Sequence, residues 1–247
     1  GVYDQYVFDY LKKSLQQADQ DGESLFSAVL TTNNHPPIRL PKSYVQPPLS
    51  PAAYGLKNDD QSKLSLLSGF HYQTDQLGQF ISWIKNSEFR DKVIIAATGD
   101  HPQRTLLDNS SNAQKYIRYS VPTYFYVPES FDLIKEVPEN VSGSHYDIFP
   151  TLIELSLSNA EYYNFGQPFM DKSVENSYGW ATSGEFLFSE GIVDSRNNKL
   201  FRWLDDQQLL LNSTSELATE EQLSVINEER YRRILKKYLI VKDYKKH

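Results

Sequence analysis

The sequence predicts an α/β fold: a largely parallel central sheet flanked by helices, followed by a small antiparallel β plus helix subdomain. Three observations carry this expectation. Short apolar runs alternate with long helical periods through the first part of the chain. Beyond about residue 178 the pattern changes to short strands separated by turn residues. The 247 residues are 39% apolar and 13% aromatic, enough for a packed core. Residues 1–178 are expected to form the larger part and residues 179–247 a hairpin and helix part packed on it.

Tyr6, Val7, Tyr10, Leu11 and Leu15 recur at helical spacing and predict a helix over 4–18. "DQDGES" (19–24) is a turn, and "LFSAVLTTN" (25–33) reads as a buried strand. Residues 34–51 carry six prolines and form an irregular loop, of a length that compact domains reserve for functional or mobile segments. A long helix over 61–86 presents Leu66, Leu67, Phe70, Leu77, Phe80, Ile81 and Ile84 as its apolar stripe. The apolar run 92–98 is a strand, 102–119 a polar loop, and "VPTYFYVP" (121–128) a third strand bounded by prolines. Ser144 reads as the N-cap of a helix reaching about Leu157, with Asp147 at its third position. Residues 184–212 read as antiparallel strands with a turn at Arg196-Asn197-Asn198. The last helix, 219–241, has acidic residues first and basic residues last, as its dipole favours.

The net charge is −7 with no strongly basic block, which argues against nucleic acid as a partner. The same acidic balance offers no attraction to an anionic lipid surface. With no cysteine, disulfides, thiol nucleophiles and Cys-ligated zinc are excluded within this segment. No apolar run approaches the roughly 18 residues of a membrane helix. The chain opens without Met, already entering a helix, so it reads as joined in mid-domain and is expected to be a fragment.

In a parallel sheet, ligands bind beyond the carboxyl ends of the strands. "VIIAATGDHPQRT" (93–105) delivers Asp100 and His101 side by side at such an end. A carboxylate oxygen and a neutral imidazole suit Mn²⁺ or Zn²⁺ better than the all-oxygen preference of Ca²⁺. The same pair is equally suited to capping the next turn. His35 follows the strand at 25–33 and could donate a hydrogen bond to a phosphate or sulfate oxygen, or simply be solvated. Arg104 could meet an anionic substrate or point into water. His71 and Asp75, at i and i+4, read as structural. His145 stands at a helix start, where orphan N–H groups attract anions. The Asn-x-Ser/Thr triplets at Asn109, Asn140 and Asn212 are weak signals.

Four segments, "LFSAVLTTNNHPPIRLP" (25–41), "FHYQTDQLGQFISWIKNS" (70–87), "KVIIAATGDHPQRT" (92–105) and "SVPTYFYVPE…GSHYDIFPTLIEL" (120–155), resemble the carboxyl-terminal half of a sulfatase-type domain of the alkaline phosphatase superfamily. More narrowly they resemble lipoteichoic acid synthases and related phosphoglycerol or phosphoethanolamine transferases; "TTNNHPP" favours that branch over arylsulfatases. The resemblance spans residues 1 to about 170 and implies an alkaline phosphatase-like fold whose amino-terminal half is missing here. It implies that Asp100 and His101 are two ligands of one divalent metal, Mn²⁺ first, with Zn²⁺ or Mg²⁺ as alternatives. His35 matches the histidine that touches the substrate phosphate. Ser144, His145, Asp147, Pro150 and Thr151 match the family's "SHxDxxPT" helix, expected to be structural, and Asp75 matches a packing position.

The implied reaction moves a phospho-group from an anionic phospholipid head group to a glycan or polymer acceptor through a covalent Thr or Ser intermediate. The nucleophile and the remaining metal-binding carboxylate fall in the missing amino-terminal half of the same protein. The implied location is a membrane-attached protein with its catalytic domain periplasmic or extracellular. The alternatives are a sulfatase hydrolysing sulfate esters, or a non-catalytic scaffold that keeps the fold without the site. Pro102 departs from the family, which commonly has Gly after Asp-His, so the loop over the site is expected to differ.

Overall fold

The computed structural model describes residues 2–50, 61–102, 119–131, 141–157, 159–173, 175–204 and 210–244. The chain divides into two compact units, Gly1–Val93 and Ile94–His247. Arg104, Asn109 and Asn140, with most of the loop expected over 102–119, lie outside the described residues.

The first unit is built on two helices, α1 (Asp4–Asp21) and α2 (Gln61–Lys85). α1 stops at Gly22, whose φ of 68° lets its N–H reach back to the carbonyls of Ala18 and Asp19. Phe8 of α1 stacks on Phe80 of α2 at 5.3 Å, and Leu67, Tyr72, Ile84 and Phe89 complete the buried core. Of the stripe read from the sequence, Leu67, Phe80 and Ile84 are buried; Phe70 is exposed, and Gly69 and Tyr72 take buried positions that the stripe did not include. Where Gly69 passes the proline-rich loop, a Cβ would stand 2.8 Å from the Ile38 side chain and 2.9 Å from the Asn33 carbonyl, so only glycine fits.

The segment expected as a buried strand over 25–33 enters no ladder among the described residues, and Leu25, Phe26, Val29 and Leu30 are exposed. Its apolar composition signals burial, but no described strand pairs with it. A carboxylate organises its far end instead. Asp4 is fully buried; its oxygens accept the N–H groups of Thr32 (3.0 Å) and Asn33 (3.3 Å). In return the Asp4 N–H donates to Asn33 Oδ1 at 2.7 Å, and Asn33 Nδ2 donates to the Arg39 carbonyl at 2.9 Å. The start of α1 and the "TTNNHPP" turn are thereby clamped together.

In the second unit, β1 (Ile95–Thr98) pairs with β2 (Thr123–Tyr126), from Ile95 opposite Tyr126 to Thr98 opposite Thr123. The pairing is antiparallel, where strand–helix–strand alternation predicts parallel neighbours. Alternating apolar runs and helical periods report that strands exist and not which neighbour each one meets, so the direction of this pairing is a finding of the structure. β1 is half-buried rather than buried, since β2 is its one partner among the described residues.

α3 (His145–Ser156) begins at Ser144 with a capping box: the Ser144 side chain accepts from the first turn and Asp147 accepts the Ser144 N–H at 2.7 Å. Asp147 does more than cap. Its other oxygen accepts the Gln167 N–H at 2.8 Å, and Lys172 Nζ lies 3.2 Å away with both side chains buried. Thr151, one turn on and fully buried, donates to the Asp147 carbonyl and accepts the Phe169 N–H at 2.9 Å. Pro150 has no N–H for the Tyr146 carbonyl, and Gly166 closes over that carbonyl so tightly that a Cβ would stand 2.1 Å from it. Burial pulls the Lys172 ammonium below the usual lysine range, with Asp147 and then Glu229 acting in the opposite sense.

Five short strands follow in an antiparallel sheet of sequential order: β3 (Gly179–Trp180), β4 (Glu185–Phe188), β5 (Gly191–Asp194), β6 (Lys199–Arg202) and β7 (Glu216–Leu217). The expected turn joins β5 to β6, with Asn198 at φ 58°. Arg196 in that turn reaches Asp194 at 2.7 Å and Glu185 at 3.1 Å, pairing two buried carboxylates. Asn212 is taken up in its own turn, accepting the Thr214 N–H at 3.1 Å. Phe186, Phe188, Val193 and Leu200 close on Ile226 of α4 (Glu220–Tyr244).

Lys172→Met leaves Asp147 as a buried carboxylate without its cation and is expected to cost about 3 kcal/mol in urea unfolding. Asp147→Asn should cost less in the Lys172→Met background than alone; strict additivity would show the two are uncoupled. Asp4→Ala, which strands the buried Asn33 N–H and releases the Thr32 N–H, is expected to lower stability by about 2 kcal/mol, measured by thermal denaturation.

Candidate functional site

β1 ends at the surface, and the turn after it is held from three directions. Thr98 Oγ1 donates to the carbonyl of Pro122, the residue before β2, at 3.0 Å. The Asp100 carboxylate accepts the His101 N–H at 2.9 Å through Oδ1. His145, the first residue of α3, brings Nε2 to 2.8 Å from the Gly99 carbonyl and 3.5 Å from Thr98 Oγ1. Gly99 fits against Val121, where a Cβ would sit 3.2 Å from the valine methyl.

The result is a converging pair. Asp100 Oδ2 lies 3.7 Å from His101 Nε2, and both side chains are more than half exposed. The other ring nitrogen, His101 Nδ1, lies 3.0 Å from the Pro102 carbonyl. With Nδ1–H donated there, Nε2 carries the lone pair and faces the carboxylate. A backbone partner on one imidazole nitrogen is how proteins fix a metal-binding tautomer. Pro102 therefore keeps the feature that matters here, a carbonyl oxygen; the N–H it lacks is not one the ring uses.

These two donors suit a divalent ion that accepts mixed oxygen and nitrogen ligands. They make two members of a ligand set; among the described residues no third His, Asp or Glu joins them.

His35 belongs to the first unit. Its N–H closes the turn onto the Thr32 carbonyl at 3.1 Å, and Nδ1 lies 2.8 Å from the Pro36 carbonyl. The exposed ring thus presents Nε2 outward from a turn that Asp4 and Asn33 anchor. His35 and His101 share one device: the proline that follows each offers its carbonyl to Nδ1.

His71 and Asp75 do not form a functional pair. Tyr44 Oη lies 2.7 Å from His71 Nδ1, and burial followed by the Asp75 charge raises the Tyr44 pKa. Asp75 accepts from the Gln79 side chain at 2.9 Å.

Two features were undervalued in the sequence. His145 reads there as part of a generic anion-attracting helix start; the structure turns it onto the Gly99 carbonyl, making it a positioning residue for the Asp-His turn. Its signal was the position immediately after the N-cap, where a side chain can reach the neighbouring strand end. Asp147 reads as a cap, whereas its second oxygen is equally committed. Nothing local in sequence announces its partners Gln167 and Lys172.

The model of the sulfatase family matches residues 1–156. Among solved structures, the chain is similar to the lipoteichoic acid synthase LtaP from Listeria monocytogenes, 16% identical, with a TM-score of 0.63 over 93% of this chain and 57% of that one. It is also similar to a protein in the alkaline phosphatase superfamily from Vibrio parahaemolyticus, 16% identical, with a TM-score of 0.66 over 93% of this chain and 52% of the other. No curated protein matches the chain. The chain spans little more than half the length of the two structures. Their likeness bears out the alkaline phosphatase-like fold class read from the sequence. With the family model covering well over half its residues, the chain belongs to the sulfatase family.

Proposed function

We propose that this chain supplies part of a metal-dependent phosphotransferase site, in which Asp100 and His101 are metal ligands and His35 contacts the transferred phosphate. The observation that carries the reading is the convergence of Asp100 Oδ2 and His101 Nε2 at 3.7 Å, with Nδ1 occupied by the Pro102 carbonyl. The reaction is transfer of a phosphoglycerol or phosphoethanolamine group from a lipid head group to a glycan or polymer acceptor. A Thr or Ser outside these residues forms the covalent intermediate. The similarity to a lipoteichoic acid synthase supports this class of reaction over simple hydrolysis.

The bound ion, Mn²⁺ by preference and Zn²⁺ or Mg²⁺ as alternatives, would supply Lewis-acid chemistry at the phosphoryl oxygens. The chain's own residues do the rest. Asp100 contributes a carboxylate oxygen and His101 a neutral nitrogen, while His145 holds the Gly99 carbonyl and with it the direction of the turn. His35, with Nδ1 directed to the Pro36 carbonyl, presents Nε2 to a non-bridging oxygen of the transferred group. The site operates on the outer side of a membrane, where lipid head groups and glycans meet.

A sulfatase reading is favoured by the family model that matches, since sulfate and phosphate oxygens are alike to these residues. Assay of the full protein with a phosphoglycerol-bearing lipid and with an aryl sulfate separates the two: turnover of the lipid alone is expected, and turnover of the sulfate ester alone would replace our reading.

Asp100→Ala and His101→Ala are each expected to lose bound metal by elemental analysis, and to lower activity more than about a hundredfold. Their circular dichroism should be unchanged, because both residues lie past the strand. His35→Ala should retain the metal and lower kcat by roughly 10²–10³-fold, the scale of one lost oxyanion donor.

A further inference from the structure

The net charge of −7 conceals a segregation of charge along the chain. Between Arg230 and Lys242 stand six Lys and Arg and no Asp or Glu. This stretch is the second half of α4, beyond the residues that the family model matches. Its inner face is committed: the Arg233 guanidinium lies 3.5 Å from the Trp180 ring, and Lys236 Nζ 3.9 Å from the Tyr146 ring. Arg230 Nη2 donates to the Ser195 carbonyl at 2.6 Å.

The opposite face has no such commitment. Tyr231, Ile234, Leu235, Tyr238 and Val241 fall on one side of the helix at spacings of three and four residues. Ile234 is 64% exposed, Leu235 52% and Tyr238 61%. Helix geometry places Arg230 and Lys237 on one flank of this stripe and Arg232 on the other, with Lys242 at its end. Arg232 is tied to Glu228 at 2.6 Å. Among the described residues Lys237 and Lys242 have no acidic partner. An exposed apolar stripe with aromatic members and cationic borders is the pattern of a helix lying in a membrane interface.

We propose that this face of α4 lies on an anionic phospholipid surface, with Ile234, Leu235 and Tyr238 inserted among the head groups and Lys237 and Lys242 over lipid phosphates. The charge complementarity decides the occupant. A purely apolar groove on a protein partner would not require the cations, and an acidic protein would not require five aligned apolar side chains. The inference does not rest on the phosphotransferase reading, since it uses none of the residues assigned to that site.

Vesicle co-sedimentation of the full chain tests it, with phosphatidylcholine vesicles containing phosphatidylglycerol against phosphatidylcholine alone. Binding is expected on the anionic vesicles only, weakening as salt is raised. Lys237→Gln with Lys242→Gln should weaken binding roughly thirtyfold, at about fivefold per cation. Ile234→Gln with Leu235→Gln should abolish it; melting curves of both variants should match the parent. Trypsin should cut at Lys237 in free protein and be blocked by anionic vesicles. Equal binding to both vesicle types, or unchanged binding by either variant, would overturn the proposal. So would protection from trypsin without vesicles, or a dimer that dissociates on the apolar substitutions, because each would mean that protein covers this face.

Discussion

The second unit is organised around one buried anion. A carboxylate removed from water is costly unless every lone pair finds a donor, and Asp147 meets that condition with the Ser144 N–H, the Gln167 N–H and the Lys172 ammonium. Satisfying it dictates much else. The start of α3 is fixed by the capping bond, so His145 is held where it meets the Gly99 carbonyl. The chain after α3 must fold back to deliver Gln167 and Lys172, which requires glycine at 166. Burial and then the Glu229 carboxylate raise the pKa of Tyr178, whose neutral hydroxyl donates to Glu229 of α4 at 3.1 Å. Lys172 Nζ, 5.5 Å from the Tyr178 ring, continues the chain of contacts from Asp147. The first unit repeats the principle on a smaller scale, with Asp4 holding the turn that carries His35. In each unit a buried carboxylate lies behind an exposed histidine, so the residues that hold the fold are separate from the imidazoles that face solvent.

Much of this was legible in the sequence because it is local. Helical periodicity placed α1, α2 and α4 within a few residues, and Ser144 with Asp147 announced the capping box. The turn at Arg196-Asn197-Asn198 was readable from turn chemistry alone. Pairing direction was not, since periodicity reports that a strand exists and not which neighbour it meets. The apolar stretch after Glu23 shows the same gap: Leu25, Val29 and Leu30 have strand-like composition, yet no ladder among the described residues receives them. Asp147 exposes a different limit. Its partners Gln167 and Lys172 lie 20 and 25 positions away, so only the folded chain shows that this acid is a junction.

The site itself was half legible. Adjacent Asp and His at a strand end are visible in any reading, and the histidine before two prolines draws notice. What the sequence concealed was the orientation of the rings. Each imidazole gives Nδ1 to the carbonyl of the proline that follows, which leaves Nε2 directed outward. Pro102, expected from the sequence to alter this loop, supplies through its carbonyl the partner that His101 Nδ1 uses. Charge carried a similar lesson, because a net value averaged over the chain hid a helical stretch, Arg230 to Lys242, with six cations and no acid.

The central claim is that Asp100 and His101 bind one divalent ion. Anomalous diffraction at the manganese and zinc edges, from crystals of the full protein purified with metal present, tests it most directly. Our account predicts a single peak bonded to an Asp100 carboxylate oxygen and to His101 Nε2, at about 2.0–2.2 Å. A peak ligated by neither residue, or His101 Nε2 donating to a protein oxygen with no ion beside it, would contradict the account.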